Sequence, residues 1–166
     1  MIAIEHIIFA SHGTLADGML SAVQLIMGED ERMKAYSLSE YESPMIIAEK
    51  VTELLAQHPG QAAILCDIKS GSVHNCLIKL CSSADAVVMT GMNLAMAIDP
   101  VSKSTDIPLR QRCEEAMQSA HDGISLFDRN SIIPALRKIY AGKKEEYGIA
   151  LRRHMEAFNC TQEALF

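Results

Sequence analysis

The sequence predicts an α/β protein, with an open sheet of four parallel strands in the order 2-1-3-4 and helices on both faces. Two observations support this fold class. Short apolar runs alternate with segments of helical apolar spacing over the first hundred residues, which is typical of a parallel α/β sheet. The chain has 166 residues, a length that suits one domain with a sizeable core.

Four apolar runs predict the parallel strands. They are residues 2–10, 33–38, 62–66 and 86–89. Polar or glycine-containing segments follow the first, third and fourth runs, as expected where buried strands end in loops. A further, mostly apolar segment at residues 124–127 follows Gly123 and predicts a last short strand.

The segments between these runs carry helix start and stop signals. Thr14 and Asp17 offer a capping box to the first helix, and Gly28 predicts its end. The second helix is predicted to begin at residues 43–44, a Ser-Pro pair, and to break at the Pro-Gly pair of residues 59–60.

Three more helices follow from similar signals. Ser72 opens the third helix. Asn93 caps a short fourth helix, which we expect to stop before Pro100 because proline interrupts helical hydrogen bonding. Residues 108–121 predict the fifth helix.

Charge divides the chain into two predicted parts. Residues 1–128 carry 8 basic and 17 acidic side chains, whereas residues 129–166 carry 7 and 4. The second part has apolar residues at helical spacing, which predicts two helices with one apolar face each. We therefore expect an α/β domain over residues 1–128 and a helical C-terminal extension over residues 129–166 that packs on the same domain.

The composition disfavours several classes of function. The net charge of -6 and the pI of about 5.5 disfavour sequence-independent nucleic-acid binding, which needs clustered basic residues. The five cysteines lack CxxC spacing, so we predict neither a metal site nor a redox centre. The glycines form neither a GxGxxG motif nor a Walker A loop, which counts against a dinucleotide or ATP cofactor.

The hydropathy pattern predicts a cytoplasmic protein. The longest charge-free, strongly apolar stretch is residues 86–98, which is shorter than the roughly 20 residues of a membrane-spanning helix. Glu5 lies where a secretory signal would need basic charge. We therefore expect no direct membrane insertion.

The candidate site lies at the carboxyl ends of the strands, where open parallel sheets bind ligands. His12 follows the first strand and Asp67 follows the third, and the order 2-1-3-4 makes these strands neighbours at the point where the strand order reverses. A carboxylate that accepts the imidazole N–H fixes the tautomer and leaves the other ring nitrogen free as a nucleophile or base. This pairing is the central prediction.

A phosphoryl group suits this predicted site. Gly13 and Ser72 lie at the starts of two helices, whose free backbone N–H groups favour an anion. The alternative is that His12 only ends a strand and Asp67 only caps a turn. His74, near the same edge, either contacts a ligand or faces solvent.

Three segments resemble the IIA domains of the mannose, fructose and sorbose family of the bacterial phosphotransferase system. They are residues 11–20 (SHGTLADGML), 65–73 (LCDIKSGSV) and 90–96 (TGMNLAM). Residues 120–124 also resemble the family's run into its last strand, so that the resemblance covers roughly residues 1–128.

The resemblance implies a role for each site residue. His12 would receive a phosphoryl group from the histidine phosphocarrier protein HPr and pass it to the IIB component of a mannose-family permease. Asp67 would orient the imidazole, while Gly13, Gly71 and Ser72 would hold the phosphoryl oxygens. No cofactor is implied.

The resemblance also implies a homodimer. The last strand, residues 124–127 here, would be antiparallel to the others and exchanged between two subunits. Two departures from the family pattern concern the site: Ser70 replaces a glycine and Val73 replaces a proline.

Two other functions stay open on the sequence. One is a regulatory phosphoacceptor module that signals to a protein partner, and the other is a phosphoryl donor to a dihydroxyacetone kinase. The resemblance also implies that the sugar contacts lie in membrane partners and not in this chain.

Overall fold

The computed structural model describes residues 4–102 and 107–128, which form one four-stranded parallel sheet and its helices. The strands are β1 (Ile4–Ser11), β2 (Met33–Ser37), β3 (Gln61–Cys66) and β4 (Ala86–Thr90). The helices are α1 (Leu15–Met27), α2 (Pro44–Gln57), α3 (Ser72–Leu77), α4 (Leu94–Ser102) and α5 (Leu109–Asp122). Two 3₁₀ helices cover Leu38–Glu40 and Ile78–Ser82.

The strand order is β2-β1-β3-β4, which confirms the predicted topology. Side chains of β1 alternate between two apolar layers, as a strand buried on both faces requires. Ile7 and Phe9 pack in the layer that includes residues of α1, α4 and α5. Ile8 and Ala10 pack in the layer that includes residues of α2 and α3. The central strands are thereby packed on both faces, and they position the loops at their carboxyl ends.

The start of α1 differs from the predicted capping box. Thr14 occupies the N-cap position but makes no capping hydrogen bond, since its φ and ψ of -108° and 17° lie outside the usual extended region. The Oγ of Ser11 instead accepts the Ala16 N–H at 2.7 Å, and the Oγ of Ser37 accepts the Asp17 N–H at 3.3 Å. The ends of β1 and β2 therefore cap this helix.

The end of α4 also differs from the prediction. The helix does begin after Asn93, whose Oδ1 accepts the Met96 N–H at 3.0 Å, but it continues through Pro100 to Ser102. An interior proline costs a helix about 3 kcal/mol. Packing against α5 offsets this cost, because Pro100 is buried and the Ser119 hydroxyl donates to Asp99 at 2.6 Å.

The described residues up to Ile124 form one compact unit, to which residues 125–128 do not belong. Residues 124–128 have no regular secondary structure, so the predicted strand at 124–127 is not formed within the single chain. The predicted helical extension, residues 129–166, lies outside the described residues. Within the described ranges, no helix combines the length and apolar character needed to cross a membrane.

Candidate functional site

His12 and Asp67 lie side by side at the carboxyl edge of the sheet. β1 and β3 pair in parallel with Ala10 opposite Cys66, so that His12 and Asp67 follow at nearly the same height. The Nδ1–H of His12 donates to Oδ2 of Asp67 at 2.8 Å, and the His12 backbone N–H donates to the same oxygen at 2.8 Å. The other oxygen, Oδ1, accepts the Ile68 N–H at 2.8 Å. Three donors thus fix the carboxylate.

These hydrogen bonds assign the tautomer of the His12 ring. Because a carboxylate only accepts hydrogen bonds, Nδ1 carries the proton in the neutral ring. Nε2 therefore has a free lone pair, and the Ser72 hydroxyl donates to it at 3.0 Å. The side chain of His12 is 42% exposed, whereas that of Asp67 is 12% exposed. The nucleophilic nitrogen belongs to an accessible ring whose orienting acid is largely covered.

The carboxylate of Asp67 stays ionised through opposing effects. Burial raises its pKa. The hydrogen bonds from the His12 backbone, the His12 ring and the Ile68 backbone together lower the pKa by more than burial raises it, so that the net shift is downward. An ionised acceptor holds the ring in one tautomer and stabilises positive charge on the ring.

Gly71 packs directly against the His12 ring. A Cβ atom built on Gly71 would lie 3.0 Å from Cε1 of His12 and 2.7 Å from Cγ2 of Ile68. Both distances are shorter than an ordinary van der Waals contact, so a side chain at position 71 would press on Ile68 and on the His12 ring. The sequence resemblance implies phosphoryl binding for Gly71, and the structure adds this close contact with the ring.

Gly13 turns the chain immediately after His12. Its φ of +53° lies in the left-handed region that favours glycine. Its carbonyl accepts two hydrogen bonds from Ser39, one from the backbone N–H at 3.3 Å and one from the hydroxyl at 3.0 Å. Sequence reasoning missed Ser39, although its position just after β2 places it at the same edge of the sheet.

The remaining histidines near the sheet do not join this cluster. His74 donates from Nδ1 to Oδ1 of its neighbour Asn75 at 3.1 Å. His6 lies near the start of β1, the end of the strand opposite His12, where its Nε2 donates to the His58 carbonyl at 2.7 Å. In the part of the chain that the structure describes, no group of three or more His, Cys, Asp or Glu side chains could hold a metal ion.

The arrangement suits covalent chemistry on a histidine. It combines an accessible unprotonated Nε2, an ionised acid on Nδ1 and a hydroxyl donor beside Nε2. A nucleophile, an orienting group and a donor to the incoming oxygen atoms are the parts that group transfer needs.

Comparison with known families gives one match that covers most of the sheet. A family model described as the PTS system fructose IIA component matches residues 6–117. A search of curated protein sequences finds no significant match.

Solved structures share the fold over about three quarters of the chain. A Klebsiella pneumoniae protein assigned as a phosphoenolpyruvate-dependent sugar phosphotransferase permease is 28% identical, with a TM-score of 0.65 over 75% of this chain and 91% of that one. The EIIA component from Streptococcus agalactiae is 24% identical, with a TM-score of 0.68 over 76% and 98%. The mannose/sorbose-specific IIA subunit from Enterococcus faecalis is also 24% identical, with a TM-score of 0.64 over 77% and 96%.

Proposed function

Because the chain belongs to the PTS system fructose IIA family, we propose that His12 accepts a phosphoryl group from the histidine phosphocarrier protein HPr and passes it to a IIB component of a mannose-family permease during sugar uptake. Membership of the family supports a phosphotransfer role in the sugar phosphotransferase system. The observation that carries the finer proposal is the hydrogen-bonded set of Asp67, His12 and Ser72.

The proposed transfer exchanges one phosphorus–nitrogen bond for another. Nε2 of His12 attacks the phosphorus atom of the carrier's phosphohistidine. The bond from phosphorus to the carrier breaks, and its electron pair stays on the carrier's ring nitrogen. The proton on Nδ1 of His12 remains in its hydrogen bond with Asp67, so that the carboxylate faces the positive charge of the phosphorylated ring. Transfer to the IIB component repeats these steps with His12 as the donor.

In this proposal, residues around Nε2 bind the phosphoryl oxygens. The Ser72 hydroxyl, which donates to Nε2 before the reaction, turns to a phosphoryl oxygen once Nε2 is occupied. Backbone N–H groups of Gly13 and Ser72 supply further donors, whereas the Gly71 N–H, which donates to the Ile68 carbonyl at 3.3 Å, would have to leave that bond to join them. The backbone donors, which need no rotation of a side chain, stabilise developing charge without reorganisation.

The exposed setting of His12 supports transfer between proteins. Two apolar side chains beside it, Leu15 at the start of α1 and Ile68 in the loop after β3, are 47% and 58% exposed. Apolar side chains around an accessible nucleophile favour short-lived docking of a partner protein. The transfer needs no cofactor, since the two proteins supply the nucleophile and the leaving group.

We also propose the predicted homodimer. β4 lies at an edge of the four-stranded sheet, and residues 124–127, three of which are apolar, have no regular structure in the single chain. Ile124 is 75% exposed. Pairing this segment with the sheet of a second subunit would cover an edge and bury apolar surface on both chains.

Sedimentation at micromolar concentration should give a mass near twice 18.2 kDa, and truncation after Asp122 should give monomers or aggregates. A full-length monomer would contradict the dimer and leave the His12 chemistry intact.

We place the reaction in the cytoplasm. The cysteines within the described residues are free thiols: Cys66, Cys76, Cys81 and Cys113. Free thiols suit a reducing compartment. We also propose that the α/β domain ends at residue 128 and that the helical extension begins at residue 129.

The transfer proposal is tested with purified proteins. The chain is incubated with labelled phosphoenolpyruvate, the first enzyme of the phosphotransferase system and HPr, and the label is mapped to a residue. We expect label on His12 and none on a His12→Ala variant, while a His121→Ala variant should accept label normally. Label on His74 instead would overturn the assignment.

Adding a IIB component or a dihydroxyacetone kinase to the labelled chain then separates transfer for sugar uptake from transfer to the kinase. Retention of the label with both acceptors favours a regulatory role.

A further inference from the structure

Ser70, in the loop between β3 and α3, has a backbone conformation that its side chain disfavours. Its φ is +63°, and within residues 4–102 and 107–128 it is the only residue other than glycine with a positive φ. The left-handed conformation crowds any residue with a Cβ atom. A contact from outside the residue must therefore help to hold Ser70 in this state.

Asn75, in the second turn of α3, supplies that contact. Its Nδ2 donates to the Ser70 carbonyl at 3.1 Å, and its backbone N–H donates to the Gly71 carbonyl at 2.9 Å. Its Oδ1 accepts the Nδ1–H of His74 at 3.1 Å, which fixes the orientation of the amide. The side chain thus ties the loop to the helix at the residue whose conformation is least favourable.

The next two residues, Gly71 in the loop and Ser72 at the start of α3, lie against the His12 ring. Gly71 lies so close that a Cβ atom there would be 3.0 Å from Cε1 of His12. The Ser72 hydroxyl donates to Nε2 at 3.0 Å. A rotation of the chain at Ser70 would therefore move both the surface on which the ring rests and the donor beside its reactive nitrogen.

We propose that Asn75 is a positioning residue for phosphoryl transfer at His12. Asn75 holds Ser70 in the left-handed conformation and thereby keeps Gly71 and Ser72 against the ring. This inference rests on the proposed function of His12. It assigns to Asn75 a task that the chain needs because a serine, and not a glycine, occupies position 70.

A double-mutant cycle tests this dependence. Asn75→Ala should slow transfer from phosphorylated HPr about three- to tenfold, the effect of one ordinary hydrogen bond on an equilibrium. KM for the carrier should stay unchanged, because Asn75 acts on the ring and not on docking. In the Ser70→Gly background, Asn75→Ala should change the rate less than about twofold, since glycine adopts a positive φ without help.

Gln111→Ala is the matched control. The Gln111 amide donates to Glu115 at 3.1 Å on the exposed surface of α5. This hydrogen bond has the same length as the bond from Asn75 to Ser70. This variant should transfer at the wild-type rate. An unchanged rate in Asn75→Ala would overturn the proposal, and so would a double variant as slow as Asn75→Ala alone.

A measurement on the unphosphorylated chain separates this inference from the proposed function. The ¹⁵N chemical shift of His12 Nε2 reports the hydrogen bond from Ser72. We expect Asn75→Ala to move this shift and the added Ser70→Gly to restore it, even if the wild-type chain accepts no phosphoryl group from HPr. A shift that is identical in all variants would contradict the positioning role.

Discussion

Replacing Asp67 by asparagine removes a carboxylate that accepts three hydrogen bonds. Oδ2 accepts the backbone N–H and the Nδ1–H of His12, and Oδ1 accepts the Ile68 N–H. An asparagine has a single acceptor oxygen, so either amide orientation leaves one of these backbone donors without a partner. When the amide N–H₂ group faces the ring, the ring adopts the tautomer with its proton on Nε2, which blocks the nucleophile.

The size of the effect follows from the charge on the ring. A phosphorylated ring is cationic, and a hydrogen bond to a charged group contributes about 1.5–3 kcal/mol. Loss of one such bond in the transferring state slows the reaction by roughly 10- to 150-fold, at about 1.4 kcal/mol for each factor of ten. The fold should be retained, because the rest of the carboxyl edge keeps its hydrogen bonds.

The assay compares initial rates of transfer from phosphorylated HPr in the wild-type chain, Asp67→Asn and a control. Asp85→Asn is a suitable control, because Asp85 accepts an exposed hydrogen bond from Gln61 at 3.1 Å just before β4, away from the carboxyl edge. Thermal unfolding checks that each variant is folded. A rate for Asp67→Asn equal to that of the control would refute the orienting role of the carboxylate.

Other predictions concern the same site and its stability. Gly71→Ala should slow transfer roughly tenfold, since the new methyl group would crowd both the Ile68 side chain and the His12 ring. Gly18→Ala should transfer normally and raise the free energy of unfolding by up to about 1 kcal/mol, because that helical glycine has open space around it. The lowered pKa of Asp67 stabilises the fold above the ordinary Asp pKa, and this contribution is lost as the pH falls through the lower value in the folded state. Urea unfolding from neutral pH to about pH 3 should therefore show a shallower loss of stability in Asp67→Asn than in the wild-type chain, and equal slopes would contradict the assignment.

Much of the sheet could be predicted because its signals are local. Apolar runs of strand length mark β1, β3 and β4, and the alternation with helices restricts the topology to a parallel sheet. The adjacency of His12 and Asp67 follows from that topology, since each residue directly follows its strand.

The features that the sequence did not predict depend on contacts between distant segments. Ser11 and Ser37 cap α1 only because two strands end beside it. α4 continues through Pro100 because α5 packs on it, and this packing overrides the helix-breaking signal of the proline. Ser39 and Asn75 act by donating to the carbonyls of Gly13 and Ser70. The backbone conformation at Gly13 and Ser70 orients these carbonyls, and the spacing of apolar residues in the sequence does not reveal it.

The most direct measurement of the central claim is the position of phosphorus on the ring. The chain is labelled with ¹⁵N-histidine, phosphorylated through HPr, and examined for coupling between ³¹P and ring ¹⁵N. We predict coupling to Nε2 of His12, with Nδ1 still protonated and bonded to Asp67. Coupling to Nδ1 of His12, or to a ring nitrogen of any other histidine, would contradict the account.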